Sequence, residues 1–198
     1  MRKTKKKGFF KDNYSKSWQF IKDSKNFIYA IIAVFFGLAL IGFIFPVPDS
    51  IATEIMKMLE EILKKTEGLS QFELIRFIFF NNIQSSFFGL ILGIFLGIFP
   101  MIFAAFNGYV LGFVADKAVE AGGVGVLWKL LPHGIFELPA IFISLGMGFR
   151  FGIFVLKNSK LESFKLHVYD LIRVFVFIVI PLLILAAIIE GSFISLFD

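Results

Sequence analysis

The sequence predicts an all-α fold: a polytopic transmembrane helical bundle of about five crossings, one of them broken or re-entrant, plus an amphipathic extracytoplasmic helix. Three observations carry this prediction. Of 198 residues, 58% are hydrophobic, only 18% are charged and the mean hydropathy is +0.84, more apolar than a soluble domain of this size needs. Several charge-free runs reach the roughly 20 residues that span a bilayer. The basic excess is also concentrated at one place. Residues 1–25 hold nine basic residues against Asp12 and Asp23, a net +7, which leaves eleven basic against thirteen acidic residues, or −2, for the rest. This pattern excludes a soluble enzyme, a disordered chain and a nucleic-acid-binding domain. A basic block joined to an apolar body instead reads as a cytoplasmic anchor facing anionic lipid heads.

Residues 1–26 are therefore expected to be a basic cytoplasmic tail, ahead of a single transmembrane domain over 27–190. The first span is 27–45, which follows Lys25, carries no charge and ends where Pro46 and Pro48 stop a helix. A secretory signal peptide has a shorter apolar core and a small-residue cleavage site, so this span is expected to remain in the mature protein. From 49 to 80 the pattern becomes amphipathic. Ile51, Ile55, Met58, Leu59, Ile62 and Leu63 lie on one side, and Glu54, Lys57, Glu60, Glu61, Lys64 and Lys65 on the other. Asp49 or Ser50 can cap the start and Gly68 the end. This region is expected outside, lying across the tops of the spans or binding a partner.

Between Phe77 and Ala115 there are 39 residues without a charge, about 58 Å as one helix at about 1.5 Å per residue, too long for a single crossing. A span is expected at 83–106, with Asn107-Gly108 ending it. Gly89, Gly93 and Gly97 form two overlapping GxxxG steps, and Ala104, Gly108 and Gly112 continue the interval on a neighbouring stripe. Glycine lets helix backbones approach closely in lipid, where apolar surfaces gain little by hiding from water. Such faces serve a neighbour within the chain or a second copy in a homo-oligomer. Asp116, Lys117, Glu120 and the Gly122-Gly123-Val124-Gly125 break make 107–132 the irregular segment, either a discontinuous crossing or a re-entrant element.

A further span at 133–155 ends in Gly146, Gly148, Arg150 and Gly152; 157–170 reads as a polar loop. The last span is 171–189, kinked at Pro181, and 191–198 is a short tail. The positive-inside rule puts the N-terminus and the cluster Arg150, Lys157, Lys160, Lys165 and Arg173 in the cytoplasm and the C-terminus outside. The expected localisation is the cell membrane, multi-pass.

The candidate functional residues are polar groups in or beside these spans. His133 and Glu137 are four residues apart, on one helix face, with Pro132 suited to the first turn. Ionisable groups in a span face protein or water. The pair therefore suits either a buried polar link, with Asn81, Asn82, Asn107 or Arg76 as partners, or a proton or ion relay. One His and one Glu are too few for zinc, HExxH is absent, and the other histidine, His167, falls in the predicted loop. No metal, cofactor or catalytic residue is expected, and with no cysteine no thiol or disulfide chemistry. GxSxG and Walker loops are also absent.

Phe80-Asn81-Asn82, the Gly-rich span, Asn107-Gly108 with Gly112, His133-Gly134-xx-Glu137 with Pro139-Ala140-Ile141, and Gly146-Met147-Gly148 together resemble the stage II sporulation protein M family over about residues 20–190. The HGxxE element is the most specific part. The resemblance implies five spans. In spore formers it implies a membrane anchor that assembles with a peptidoglycan-degrading pair; relatives also occur in organisms that form no spores. The family has no assigned catalytic residues, so His133, Glu137, Asn81, Asn82 and Asn107 carry over as signature positions. The expected function is a non-enzymatic membrane scaffold that binds the bilayer and other membrane or envelope proteins. The alternative is a small-solute, ion or proton-coupled transporter built around His133 and Glu137.

Overall fold

The computed structural model describes residues 8–45, 47–157 and 161–197, and these form eight α-helices and no strand. Five helical stretches are long and apolar enough to cross a membrane: Lys25–Ile44, Gln71–Ile94, Ile98–Gly122, Gly134–Leu156 and Phe164–Ser195. The protein is a multi-pass membrane protein of the predicted helical class, although several boundaries differ from those expected.

Part of the expected N-terminal tail is α1 (Phe9–Asp23); residues 1–7, with their basic residues, lie outside the described residues. Asn13, Ser17, Phe20 and Ile21 recur at helical spacing and are buried, because α1 packs on α7 and the π turn that follows it. The first span, α2 (Lys25–Ile44), matches its prediction closely. Pro46 lies outside the described residues, and Pro48 sits directly ahead of α3 (Asp49–Thr66).

The expected amphipathic region 49–80 is divided. Only α3 is amphipathic and peripheral; Gln71 starts the second crossing, α4 (Gln71–Ile91), which a 3₁₀ turn extends to Ile94. Ser70 and Glu73 exchange hydrogen bonds in a capping box, so a new helix begins there whatever the neighbouring charges. The expected span at 83–106 is also displaced. The chain breaks at Leu96 and Gly97, both left-handed with φ of 58° and 73°, and α5 runs unbroken from Ile98 to Gly122. Pro100 stands in the first turn of α5, where its missing N–H removes no helix hydrogen bond. Asn107 thus lies inside a helix and is no cap.

The irregular or re-entrant segment expected at 107–132 is, for most of its length, this same continuous helix. Only Val124–Leu130 is irregular, as 3₁₀ turns outside the crossing. The charges that suggested a break sit at the end of α5 and satisfy one another: the Lys117 ammonium is 2.6 Å from Glu120 and 3.5 Å from Asp116. Next come α6 (Leu131–Lys157), with Pro132 in its first turn, and α7 (Leu161–Val174), which occupies most of the expected 157–170 loop; residues 158–160 lie outside the described residues. A π turn at Phe175–Val179 leads into α8 (Ile180–Phe197), so the expected C-terminal tail is helical up to Phe197. Pro181 lacks the N–H that the Phe177 carbonyl would receive, and widening to i→i−5 bonding absorbs this defect.

The spans alternate in direction. Phe35 and Ala39 of α2 lie against Gly108 and Gly112 of α5, so that pair is parallel. Gly89 and Gly93 of α4 meet Leu145 and Gly148 of α6, a second parallel pair. In both cases a β-carbon on the glycine would collide with the neighbour, which is why glycine stands there. Gly152 approaches Gly93 and Gly97 in the same way. Gly89, Gly93, Gly97, Gly108, Gly112, Gly148 and Gly152 therefore all meet partners within the chain. α6 also crosses α2 in the opposite sense, with Gly146 on Ile28 and Phe142 on Phe35 at 5.1 Å. It is central, half of its span being buried against 22–39% for the others. α8 runs antiparallel to α4, with Gly191 against Ile75. The start of α2, the ends of α4 and α6, and α1 and α7 consequently share one end of the bundle, and α3 lies at the other.

Candidate functional site

Glu137 occupies the first turns of α6, with only 4% of its surface exposed. The backbone of His133 lies one turn earlier on the same helix, as expected from i, i+4 spacing; its side chain lies outside the described residues. Asn82 on α4 is likewise buried. The register that sets Gly89 beside Leu145 brings Asn82 and Glu137 to about the same depth, because each lies seven or eight residues before that contact. Ser86 and Ser144 are buried on the same two helices, and their hydroxyls have no hydrogen-bond partner among the described residues. Buried polar side chains thus recur along the α4–α6 interior, where an unsatisfied hydroxyl is costly.

The other expected residues are only partly gathered here. Asn81 is exposed and donates to the Asn82 side-chain oxygen at 3.2 Å. Arg76 points outward, 5.7 Å from the centre of the Phe80 ring, and belongs to no cluster with Glu137. Asn107 donates to the Phe103 carbonyl one turn earlier at 2.8 Å, so its amide serves its own helix. Among the described residues no three of His, Asp and Glu approach closely enough to hold a metal.

Asn81 and Asn82 open into a groove of about 940 Å³ between the end of α3, α4 and the end of α8. Its lining is largely apolar, with Leu74, Ile78 and Ile194, and also includes the exposed Glu67 and the partly buried Glu190. α3 forms one wall yet packs extensively on no other helix. Of its residues only Ile55 is buried, while Ile51, Ile62 and Leu63 are exposed, Leu63 by 66%.

A second polar cluster at the opposite end escaped the sequence reading. Arg150 of α6 donates to the Ser24 hydroxyl at 2.7 Å and the Phe20 carbonyl at 3.4 Å, and its guanidinium stacks 4.5 Å over the Phe20 ring. Arg173 of α7 donates to Asn13 at 3.1 Å, pairs with Asp170 and covers the Tyr169 ring at 4.5 Å. His167 is no loop residue: it stacks on Phe154 at 4.1 Å and meets the edge of Phe20 at 5.3 Å, with a buried Nε2 that finds no hydrogen-bond partner among the described residues. Two arginines and an aromatic box therefore fasten α1 to α6 and α7. The signal available in the sequence was Arg150 itself, a charge inside an apolar run, which implies a buried partner.

A family model described as Stage II sporulation protein M matches residues 30–195. The uncharacterized protein MJ0706 of Methanocaldococcus jannaschii is 28% identical over 142 residues, covering 72% of this chain. The chain spans 60% of that relative's length. No solved structure matches the chain.

Proposed function

The chain belongs to the Stage II sporulation protein M family, and we propose that it is a non-enzymatic membrane scaffold that holds a partner protein through α3 and the groove beside it. The observation that carries this reading is α3 itself. It is an amphipathic helix tied between two crossings, with its apolar side largely exposed and an open groove at its end. An apolar helix of a membrane or envelope protein, with a basic residue to meet the exposed Glu67, is the occupant whose chemistry fits.

Charge supports the orientation that goes with it. Lys11, Lys16, Lys22, Lys25, Arg150, Lys165 and Arg173 gather at the α1 end, whereas α3 carries Asp49, Glu54, Glu60 and Glu61 against Lys57, Lys64 and Lys65. The α1 end is then cytoplasmic, and α3 and the C-terminus are outside.

A photoreactive residue placed at Ile51 or Leu63 should crosslink the same protein in native membranes, and one at Phe106 in the middle of α5 should not. Absence of any protein adduct from both α3 positions would remove the scaffold reading.

Transport is the second reading, favoured by the burial of Glu137. It no longer draws on a discontinuous helix, since α5 is continuous. It requires that Glu137→Gln abolish a flux in liposomes while leaving thermal stability nearly intact.

A further inference from the structure

One face of α1 remains unexplained by the packing of the bundle. Phe10, Tyr14 and Trp18 recur at four-residue intervals, and the series ends in Lys22. All three aromatic side chains are exposed, by 76%, 57% and 47%. A helix that leaves such a stripe open to water gains nothing for it. Beside the stripe lie Lys11 and Ser15. With Phe177 these residues line an open groove of about 680 Å³. Among the described residues neither Lys11 nor Lys22 forms an ion pair, in contrast to Lys16, which is held by Asp12 at 2.6 Å.

What covers this face follows from its position. Phe177 belongs to the last membrane-crossing stretch, Phe164–Ser195. The rings of Phe9 and Phe10 meet it edge-on at 6.1 and 6.3 Å. The aromatic stripe is thus continuous with the surface of a span, at the end of the bundle where α2 enters the membrane. Tyrosine and tryptophan favour the boundary between headgroups and acyl chains, and lysine flanking an apolar stripe favours anionic lipid. The clamp formed by Arg150, Arg173 and their partners Asn13, Phe20 and Ser24 holds the neighbouring side of the helix against the protein and leaves the aromatic stripe outward.

We infer that α1 is an interfacial lipid-binding helix, in which Phe10, Tyr14 and Trp18 enter the headgroup boundary beside Phe177 while Lys11 and Lys22 select anionic phospholipid. The basic segment 1–7 precedes it in the sequence and carries charge of the same sign.

The chain has two tryptophans, so Trp128→Phe leaves Trp18 as the sole fluorophore. The full-length protein is reconstituted in mixed phosphatidylcholine and phosphatidylglycerol vesicles, with bromine carried by one lipid or by the other at equal mole fraction. Quenching of Trp18 by brominated phosphatidylglycerol should exceed that by brominated phosphatidylcholine at least about twofold. Lys11→Gln with Lys22→Gln, both at exposed positions, should bring the two close to equality. If Trp128→Phe does not reconstitute, the same comparison is made as the difference between the unsubstituted protein and Trp18→Phe. Equal quenching by both lipids in the lysine-bearing protein overturns the selectivity, and absence of quenching by either overturns the placement in the membrane.

Discussion

Arg150 and Ser24 are 126 positions apart in sequence, yet the guanidinium donates to the serine hydroxyl at 2.7 Å and stacks over the ring of Phe20. This contact joins the central helix of the bundle to the point where α1 turns into α2. Replacing Arg150 by Met keeps much of the apolar stem but leaves Ser24 and the Phe20 carbonyl with fewer donors. The expected cost is about 1–3 kcal/mol, read as a lower midpoint of thermal unfolding in detergent. Proteolysis within α1 should accelerate at the same time, because the helix loses its main link to α6.

Glycines on α2 and α5 offer a contrast within one helix pair. A β-carbon on Gly108 or Gly112 would strike the backbone of Phe35 or Ala39, whereas one on Gly37 would meet nothing within 4 Å. Gly112→Ala should destabilise by about 1–3 kcal/mol through overpacking. Gly37→Ala should be neutral or stabilising by up to about 1 kcal/mol, through higher helix propensity. Equal effects on the unfolding midpoint would show that this close approach does not govern stability.

The turn between α4 and α5 places a leucine at φ 58°. Side chains other than glycine strain in that region by about 1–2 kcal/mol, so Leu96→Gly should raise the unfolding midpoint. Gly97→Ala should lower it, since the residue is left-handed and a β-carbon would press on the Phe149 ring at 2.5 Å.

His167 offers its ring to Phe154 but, among the described residues, has no hydrogen-bond partner at Nε2. Phenylalanine keeps the stacking and removes the unsatisfied nitrogen, so His167→Phe should retain or increase stability. His167→Ala removes the ring that packs on Phe20, Phe151 and Phe154 from a half-buried site and should cost about 1–3 kcal/mol. Both values can be taken from thermal unfolding.

Topology can be tested without background labelling, because the chain has no cysteine. Cysteine introduced at Lys64 on α3 and at Lys165 on α7 should react with an impermeant thiol reagent from opposite faces of sealed membranes. Reaction of both from the same face contradicts five crossings.

The sequence was most informative where hydrophobicity alone decides structure. The predicted 27–45 and 133–155 spans nearly coincide with α2 and α6, and the burial of Glu137 agrees with the rule that ionisable residues in a span turn inward. The displaced boundaries have a common cause. Gly89, Gly93 and Gly97 look identical as a repeat, but only Gly97 is left-handed, and nothing in a leucine at 96 announces a turn. Charge suggested a broken or re-entrant segment in 107–132 and a loop in 157–170, whereas the charged residues of the first sit at the end of α5 and most of the second is α7. The Arg150 and His167 contacts were illegible for a related reason. Their partners lie in α1, which composition alone presents as a tail, and α7, which it presents as a loop.

The two parallel glycine-lined pairs also constrain how this protein can be made. Neighbouring crossings that leave the ribosome as a hairpin are antiparallel, so neither α2 with α5 nor α4 with α6 can close when its first member is inserted. Gly42 must wait for Tyr109, and Gly89 for Leu145. In the interval the narrow faces of α2 and α4 lie against lipid, with their carbonyls close to the surface and no partner helix. The bundle is therefore assembled by lateral sorting of crossings already in the bilayer, and a chain arrested before α6 should be held by insertion machinery or degraded.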